Sequence, residues 1–266
     1  MTKIAVVGHV EWAWFLRVPH LPTQGEILAA EPDRPRAAGA GGVAAAVLAE
    51  LGVDVDLFCA LGDDEAGDAA AADLAAHGVV VHAARRDKPT RRALALLDAG
   101  GERTIVTIGE RLAPRGDDEL EWERLADADG AYLTAGDAGA CNRAREARVL
   151  VATPRVRASL DVDGPSLDAL VFSGEDPVET EWAQRLRARA RLMVSTEGSA
   201  GGRWWGRSMG RWAAVAPPAD TYDSYGCGDA FAAAFTYALA CGHQVSDAAA
   251  IGARWGARML GRVGAP

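Results

Sequence analysis

Six short apolar runs constrain this chain more than any other feature: Lys3–Gly8 (KIAVVG), Val55–Ala60, Ala131–Thr134, Val149–Ala152, Ala169–Phe172 and Leu192–Ser195. Runs of this kind read as short buried strands. Between them lie stretches with helical patterning at 43–51, 65–76, 138–146, 178–189 and 229–241. Strand and helix alternating over most of a chain imply a mostly parallel sheet covered on both faces. The fold class is therefore α/β: a doubly wound sheet in an α/β/α sandwich, whose ligands belong at the carboxyl ends of the strands.

Two stretches break the alternation. Residues 11–36 and 79–108 read as strands and turns without helices, the second with a turn signal at Asp98–Gly101. They predict a small β-sheet lid beside the main sheet. No internal repeat or low-complexity linker divides the chain, so residues 1–266 read as a single domain with two lid segments.

Charge and cysteine content narrow the function classes. The formal net charge of −9 argues against broad contact with nucleic acid or anionic lipid, both of which would repel the chain. An anionic ligand then needs a local site. No apolar run approaches a membrane span, and the first residues, MTKIAVVGHVEW, carry too short an apolar stretch for a secretory signal. Cys59, Cys141, Cys227 and Cys241 show no metal-binding spacing. The expectation is a soluble cytoplasmic protein.

Chemistry concentrates in Asp223–Phe231, DSYGCGDAF. Phe231, Phe235, Ala238 and Leu239 fall on one helical face, with Gly242 as a stop, so Gly226, Cys227, Gly228 and Asp229 open a helix. Small residues let backbone amides approach a ligand closely, and a helix N-terminus adds positive potential. Such a motif cradles an anion and sets one carboxylate beside it, an arrangement that suits phosphoryl transfer. On this fragment alone, a glycine-rich turn with Asp229 merely complementing the helix dipole is an equal reading.

The stretch resembles the Asp-Thr-x-Gly-Ala-Gly-Asp signature of the ribokinase-like (PfkB) carbohydrate kinases, matched here by Asp223, Gly226, Gly228 and Asp229. Leu51-Gly52 with Gly62-Asp-Asp-Glu-Ala-Gly67 resembles the family's first signature. Pro89-Thr90 and Gly101–Ile105 resemble its lid, and Thr196-Glu-Gly198-Ser-Ala-Gly201 its turn near the nucleotide. The resemblance implies an ATP-dependent sugar kinase, with Asp229 as catalytic base and the Gly226, Cys227 and Gly228 amides as anion hole. It implies a nucleotide site formed by Thr196, Gly198, Gly201 and Asp223, together with the segment 248–264. It also implies magnesium, a monovalent cation as an open question, and a lid through which two copies can pair.

The departures from the pattern lie on the acceptor side. Two positions that commonly contact sugar hydroxyls in the family hold Ala13 and Val43. Glu11 is the nearby acid that could compensate, with Gly39, Gly41 and Gly42 as further acceptor contacts. Trp12 and Trp14 read either as stacking rings or as packing between lid and core. The metal-organising Asn-x-x-Glu is replaced by Ser173-x-x-Asp176, leaving Asp176 or Glu175 as magnesium ligands; a helix N-cap explains the same residues equally well.

The basic run Arg85–Arg92 reads either as a phosphate-recognising patch, with Arg92 or Arg91 facing the pocket, or as edge-strand protection. Acceptor classes left open are a sugar, a phosphosugar and a nucleoside. A catalytically degenerate binding protein is the remaining alternative. Cys227 reads as a tolerated small residue rather than a reactive thiol, because no histidine carries the signature of a partner.

Overall fold

The computed structural model describes residues 2–32, 34–98, 103–161, 164–218 and 223–266. The chain opens with β1 (Lys3–Val7), β2 (Glu11–Arg17), β3 (Glu31–Pro32), β4 (Arg36–Ala38) and α1 (Gly39–Glu50). Next come β5 (Asp54–Gly62), α2 (Glu65–Ala76), β6 (Val80–Arg86), β7 (Arg92–Leu97) and β8 (Arg103–Ile108). The central stretch holds β9 (Gly130–Leu133), α3 (Ala138–Ala144), β10 (Val149–Ala152), α4 (Ala158–Asp161), β11 (Ala169–Ser173), α5 (Pro177–Arg185) and β12 (Leu192–Thr196). The chain ends with β13 (Gly202–Gly206), β14 (Gly210–Trp212), α6 (Cys227–Ala240) and α7 (Val245–Met259).

Among the described residues, nine strands form the main sheet in the order β14-β13-β12-β11-β10-β9-β1-β5-β6. All pairs are parallel except those that join β13 to β12 and β14 to β13. The strand order reverses at β1: β5 and β6 extend to one side, β9 to β12 to the other. A crevice opens beyond the carboxyl ends of strands at such a reversal. Here it lies after Val7 and Leu133, and the site described below is built there.

Each face of the sheet buries its own apolar layer. Ile4 and Val6 pack with Val43, Val47 and Leu48 of α1 and with Phe231 and Phe235 of α6. On the opposite face, Val7, Leu133 and Leu150 pack with Phe58, Trp122 and Cys141. This two-sided burial is why the strands read as continuous apolar runs rather than alternating ones. A stack of rings, Trp204–Trp212–Phe231–Phe235, with centroids 5.2–6.1 Å apart, fastens the β13–β14 hairpin to α6.

The second sheet follows the order β3-β2-β7-β8, with β4 also pairing with β2. Ala13, Phe15, Ala93, Ala95 and Leu97 alternate along its buried face, while β8 is exposed along its length. The lid expectation is corrected at one end. Residues 80–86 join the main sheet, Val80 pairing in parallel with Asp56, because the strand follows α2 as the next β-α-β return. The hairpin β13–β14 and helix α7 are not among the predicted elements. Residues 99–102, part of the predicted lid turn and of the Gly101–Ile105 match, lie outside the described residues.

Remote from that crevice, a buried carboxylate joins three elements. Asp56 accepts from His82 Nε2 at 2.8 Å and Arg124 Nε at 2.8 Å, and Lys3 Nζ lies 3.0 Å away. Burial opposes the charge, but His82, Arg124 and Lys3 outweigh it and hold the carboxyl well below its ordinary range. Stability from a depressed carboxylate is present above the unfolded value, about 3.9, and is lost as pH falls through the folded one. Asp56→Asn leaves Lys3 and Arg124 without their shared counter-ion. Urea unfolding is expected to lose about 3 kcal/mol with unchanged m-value, and the decline in stability below about pH 4 is expected to flatten.

Candidate active site

Helix α6 begins without a side-chain cap. Its N-cap, Gly226, sits in the left-handed region at φ 73°, where an added Cβ would also lie 2.8 Å from Val43 Cγ1. Only glycine meets both conditions cheaply. The amides of a first helical turn have no partner within the helix; here the Cys227 amide makes a long bond of 3.4 Å to the Ser224 carbonyl, and the next amides, of Gly228 and Asp229, are available to a ligand. A Cβ built on Gly228 meets nothing within 4 Å, so this end of the helix faces open space. Burial pushes the Cys227 thiol up to about 12, the nearby Arg103 notwithstanding, and a thiol of that kind is inert rather than reactive.

Asp229 is buried at the base of this space, 8% exposed. Arg155 Nη1 donates to its Oδ1 at 3.0 Å and its Oδ2 at 3.3 Å, and Tyr132 Oη donates to Oδ1 at 3.3 Å. Burial, then Asp229 itself, raises the Tyr132 hydroxyl well above its usual range, so it stays a donor. Arg155 Nε reaches Glu179 Oε1 at 2.8 Å, and the other Glu179 oxygen accepts the Ser173 amide at 2.9 Å. Asp229 first and then Glu179 hold the guanidinium charged more firmly than in a free arginine, against the cost of burial.

A second group of cations gathers beyond the end of β1. Arg111 donates to His9 Nδ1 at 2.9 Å and to the Thr134 carbonyl at 3.0 Å. An arginine only donates, so Nδ1 of His9 accepts, and the ring proton is carried on Nε2. Desolvation, followed by Arg111, Arg91 and Arg155, lowers His9 well below its usual range and keeps it neutral. Desolvation and the like charges of Arg155 and Arg91 lower Arg111 to about 10. Glu11, buried on β2, lies 3.6 Å from Arg91 Nε and accepts from Tyr225 Oη at 3.2 Å. Desolvation raises Glu11 above the ordinary carboxylate range, although Arg91 and Tyr225 oppose the shift.

The remaining predicted positions divide by what they touch. Asp223 accepts from the Tyr225 and Gly264 amides at 2.9 and 3.2 Å and lies 3.6 Å from Arg103 of β8. It thus ties the anion loop to the C-terminal segment and to the lid. Thr196 ends β12 and lines one cavity with Gly228 and Asp229, and the turn through Gly198 and Gly201 follows directly. The Gly39 amide donates to Tyr225 Oη and the Gly41 amide to the His9 carbonyl. A Cβ on Gly41 would lie 2.8 Å from that carbonyl, while Gly42 stands in ordinary contact with Val10 and Ala37. These three glycines seat the start of α1 against β1.

Arg92 sits differently from the reading of the sequence, and Asp176 takes the helix N-cap, one of the two readings left open for it. Arg91 is the arginine beside Glu11, and Arg92 is exposed on the opposite side of the strand. Asp176 spends its Oδ1 on the Val178 and Glu179 amides as the cap of α5, at 2.8 and 3.2 Å. Glu175 is exposed beside the Gly198 turn. Ala13 and Val43 are fully buried and offer no hydroxyl contact. Most of the basic run is spent on ion pairs: Arg85 with Asp68, Arg86 with Asp118, Lys88 with Glu110. His9, Arg111, Tyr132, Arg155 and Glu179 were not among the predicted site residues. Arg155 follows β10 directly, and its place at a strand's carboxyl end was the available signal.

Known proteins share this arrangement of elements. The chain is 28% identical to the ATP-dependent ribose-1-phosphate kinase of Halopiger xanaduensis, over 100% of this chain and 94% of that one. It is 30% identical to the acarbose 7(IV)-phosphotransferase of Actinoplanes sp., over 96% of this chain and 91% of that one. The structure of Arabidopsis thaliana ribokinase, complexed with ribose and ATP, superposes with a TM-score of 0.76 at 20% identity, covering 100% of this chain and 95% of that one. The sequence model described as pfkB family carbohydrate kinase matches residues 1–154 and 167–266, and the chain belongs to that family.

Proposed function

We propose that this protein is an ATP-dependent kinase that moves the γ-phosphoryl group to a hydroxyl of a small sugar already carrying a phosphate or similar anion. The observation that carries the acceptor's charge is the crowding of Arg91, Arg111 and Arg155 around His9, Glu11 and Asp229. Like charges this close weaken one another, and an anion between them relieves the repulsion. A guanidinium fork also matches a phosphate better than it matches a neutral hydroxyl. The Halopiger relative is named for a phosphosugar and the Actinoplanes relative for acarbose, so the family resemblance leaves the acceptor open and the arginines favour the charged one.

In this reading Asp229 takes the acceptor's proton, and the Gly226, Cys227 and Gly228 amides steady the charge on the phosphoryl group. The Thr196–Gly201 turn and the segment through α7 hold the nucleotide. Magnesium, when bound with the nucleotide, would supply neutralisation of its phosphates. Glu175 would be the more available carboxylate to hold it, since Asp176 Oδ1 caps α5; no group of three metal-binding side chains occurs among the described residues.

The test is acceptor-dependent ADP release with magnesium and ATP across neutral sugars, phosphosugars and nucleosides. A phosphosugar is expected to be the preferred acceptor, and Asp229→Asn is expected to lower its turnover by about 10²- to 10⁴-fold, the usual worth of a positioned base. Arg91→Ala and Arg111→Ala are each expected to raise KM for the phosphosugar by about tenfold or more. That is the size of one hydrogen bond to a charged group, roughly 1.5–3 kcal/mol. A neutral sugar or nucleoside preferred by the unaltered enzyme, with KM untouched in both variants, sinks the charged-acceptor reading and leaves the kinase.

A further inference from the structure

The Arg155 guanidinium is placed unlike a structural ion pair. Its two carboxylate partners are enclosed, with Asp229 11% and Glu179 10% exposed at the side chain, while Arg155 itself is 38% exposed. It lines a narrow cavity together with Tyr132, Glu179, Thr196, Gly228 and Asp229. That space joins the turn after β12, the open N-terminus of α6 and the carboxylate at its base. Among the described residues that line it, Arg155 is the one cation. Two carboxylates and one guanidinium line this space, so a phosphoryl group entering beside Asp229 finds its nearest positive partners in Arg155 and the helix amides.

We propose, building on the kinase reading, that Arg155 is a catalytic residue that grips the equatorial oxygens of the phosphoryl group in flight, with Glu179 as its holder. The acceptor oxygen forms its bond to the γ-phosphorus as the bond from that phosphorus to the β,γ-bridging oxygen breaks. ADP leaves with the electron pair, and the acceptor's proton passes to Asp229. Oδ2 is the oxygen that receives it, because Oδ1 already holds Tyr132 and the shorter contact from Arg155. Before the nucleotide arrives, the same guanidinium occupies both oxygens of the base. A phosphoryl group carries more charge than a carboxylate and competes for the fork, so its arrival frees the base at the moment the base is needed. Glu179 keeps Arg155 from following the phosphate out of the site, since its own position is fixed by the Ser173 amide.

The experiment compares Arg155→Gln and Arg155→Lys with the unaltered protein, using magnesium, ADP and aluminium fluoride as a mimic of the transferring group. Both variants are expected to bind ADP alone within about threefold of the unaltered protein and to lose the tightening that aluminium fluoride adds. The turnover number is expected to fall about 10³-fold in Arg155→Gln, the lower range for an arginine acting on a phosphoryl group. Millimolar guanidinium is expected to restore part of the rate to Arg155→Ala. Should the glutamine variant not fold, Arg155→Lys keeps the charge without the fork and carries the test alone. Tightening and turnover within tenfold of the unaltered protein in a folded variant overturn the assignment, as does loss of ADP binding in step with loss of turnover. An unaltered protein with no acceptor-dependent ADP release fails the kinase reading instead, so the two failures are told apart.

Discussion

The first turn of α6 has to stay open, and much of the catalytic end is arranged to make that tolerable. Buried helix N-termini are ordinarily closed by a side chain, as Asp64, Asp137 and Asp176 close α2, α3 and α5. At α6 the N-cap is a glycine in a left-handed conformation with no side-chain cap, and the turn faces open space at Gly228. The loop before it is consequently held from outside. Asp223 takes the Tyr225 and Gly264 amides, Tyr225 reaches Gly39 and Glu11, and Arg103 bonds Ser224 at 2.6 Å. Those contacts bring in α1, the C-terminal segment and both β2 and β8 of the lid. Rigidity at the anion loop is therefore borrowed from four separate parts of the chain.

Charge is distributed on the same logic. The protein as a whole carries −9, yet its crevice collects Arg91, Arg111 and Arg155, with His9 forced neutral among them. These arginines stand against Glu11, Glu179 and Asp229, so the crevice does not share the chain's excess of negative charge. A net negative surface discourages adventitious polyanions, while the crevice, walled by low-dielectric sheet and helix, concentrates its field on a ligand small enough to enter. Neutral His9 fits this pattern: it accepts from Arg111 and fixes the fork without adding a further charge to a crowded set.

What the sequence made legible was whatever is written locally. The strand–helix alternation, the opening of α6 at Gly226–Asp229 and the turn after β12 all depend on neighbours in the chain and appear in the order the pattern gave, although α1 begins at Gly39, inside the glycine-rich stretch, and not at residue 43. The failures share a different cause. Residues 80–86 have the composition of a lid strand and of a sheet edge alike, and only the three-dimensional return from α2 decides between them. Arg91 and Arg92 differ by one step in a strand, which is one side of the sheet against the other. Asp176 is no failure but a choice left open between a metal and a helix start, and α5 takes it because the Val178 and Glu179 amides are in place. Arg155 lies 24 residues from Glu179 and 74 from Asp229 and bonds both only in the folded chain, so no spacing rule could have joined them.

Val43 and Ala13 gain a meaning from the same geometry. A pocket that selects a sugar by its hydroxyls needs buried polar partners, and each partner left unmatched by the wrong ligand penalises it. Here both positions are apolar and sealed, Val43 filling the space against Gly226 and Ala13 lying between the strands of the lid. Discrimination by hydroxyl count is weakened accordingly. An arginine cluster selects by charge instead, and a phosphate offers oxygens in several directions where a hydroxyl offers one. On the reading proposed above, such a site would tolerate variation in the ring while demanding the anion attached to it, and Asp229 would act on whichever hydroxyl the anchored phosphate delivered.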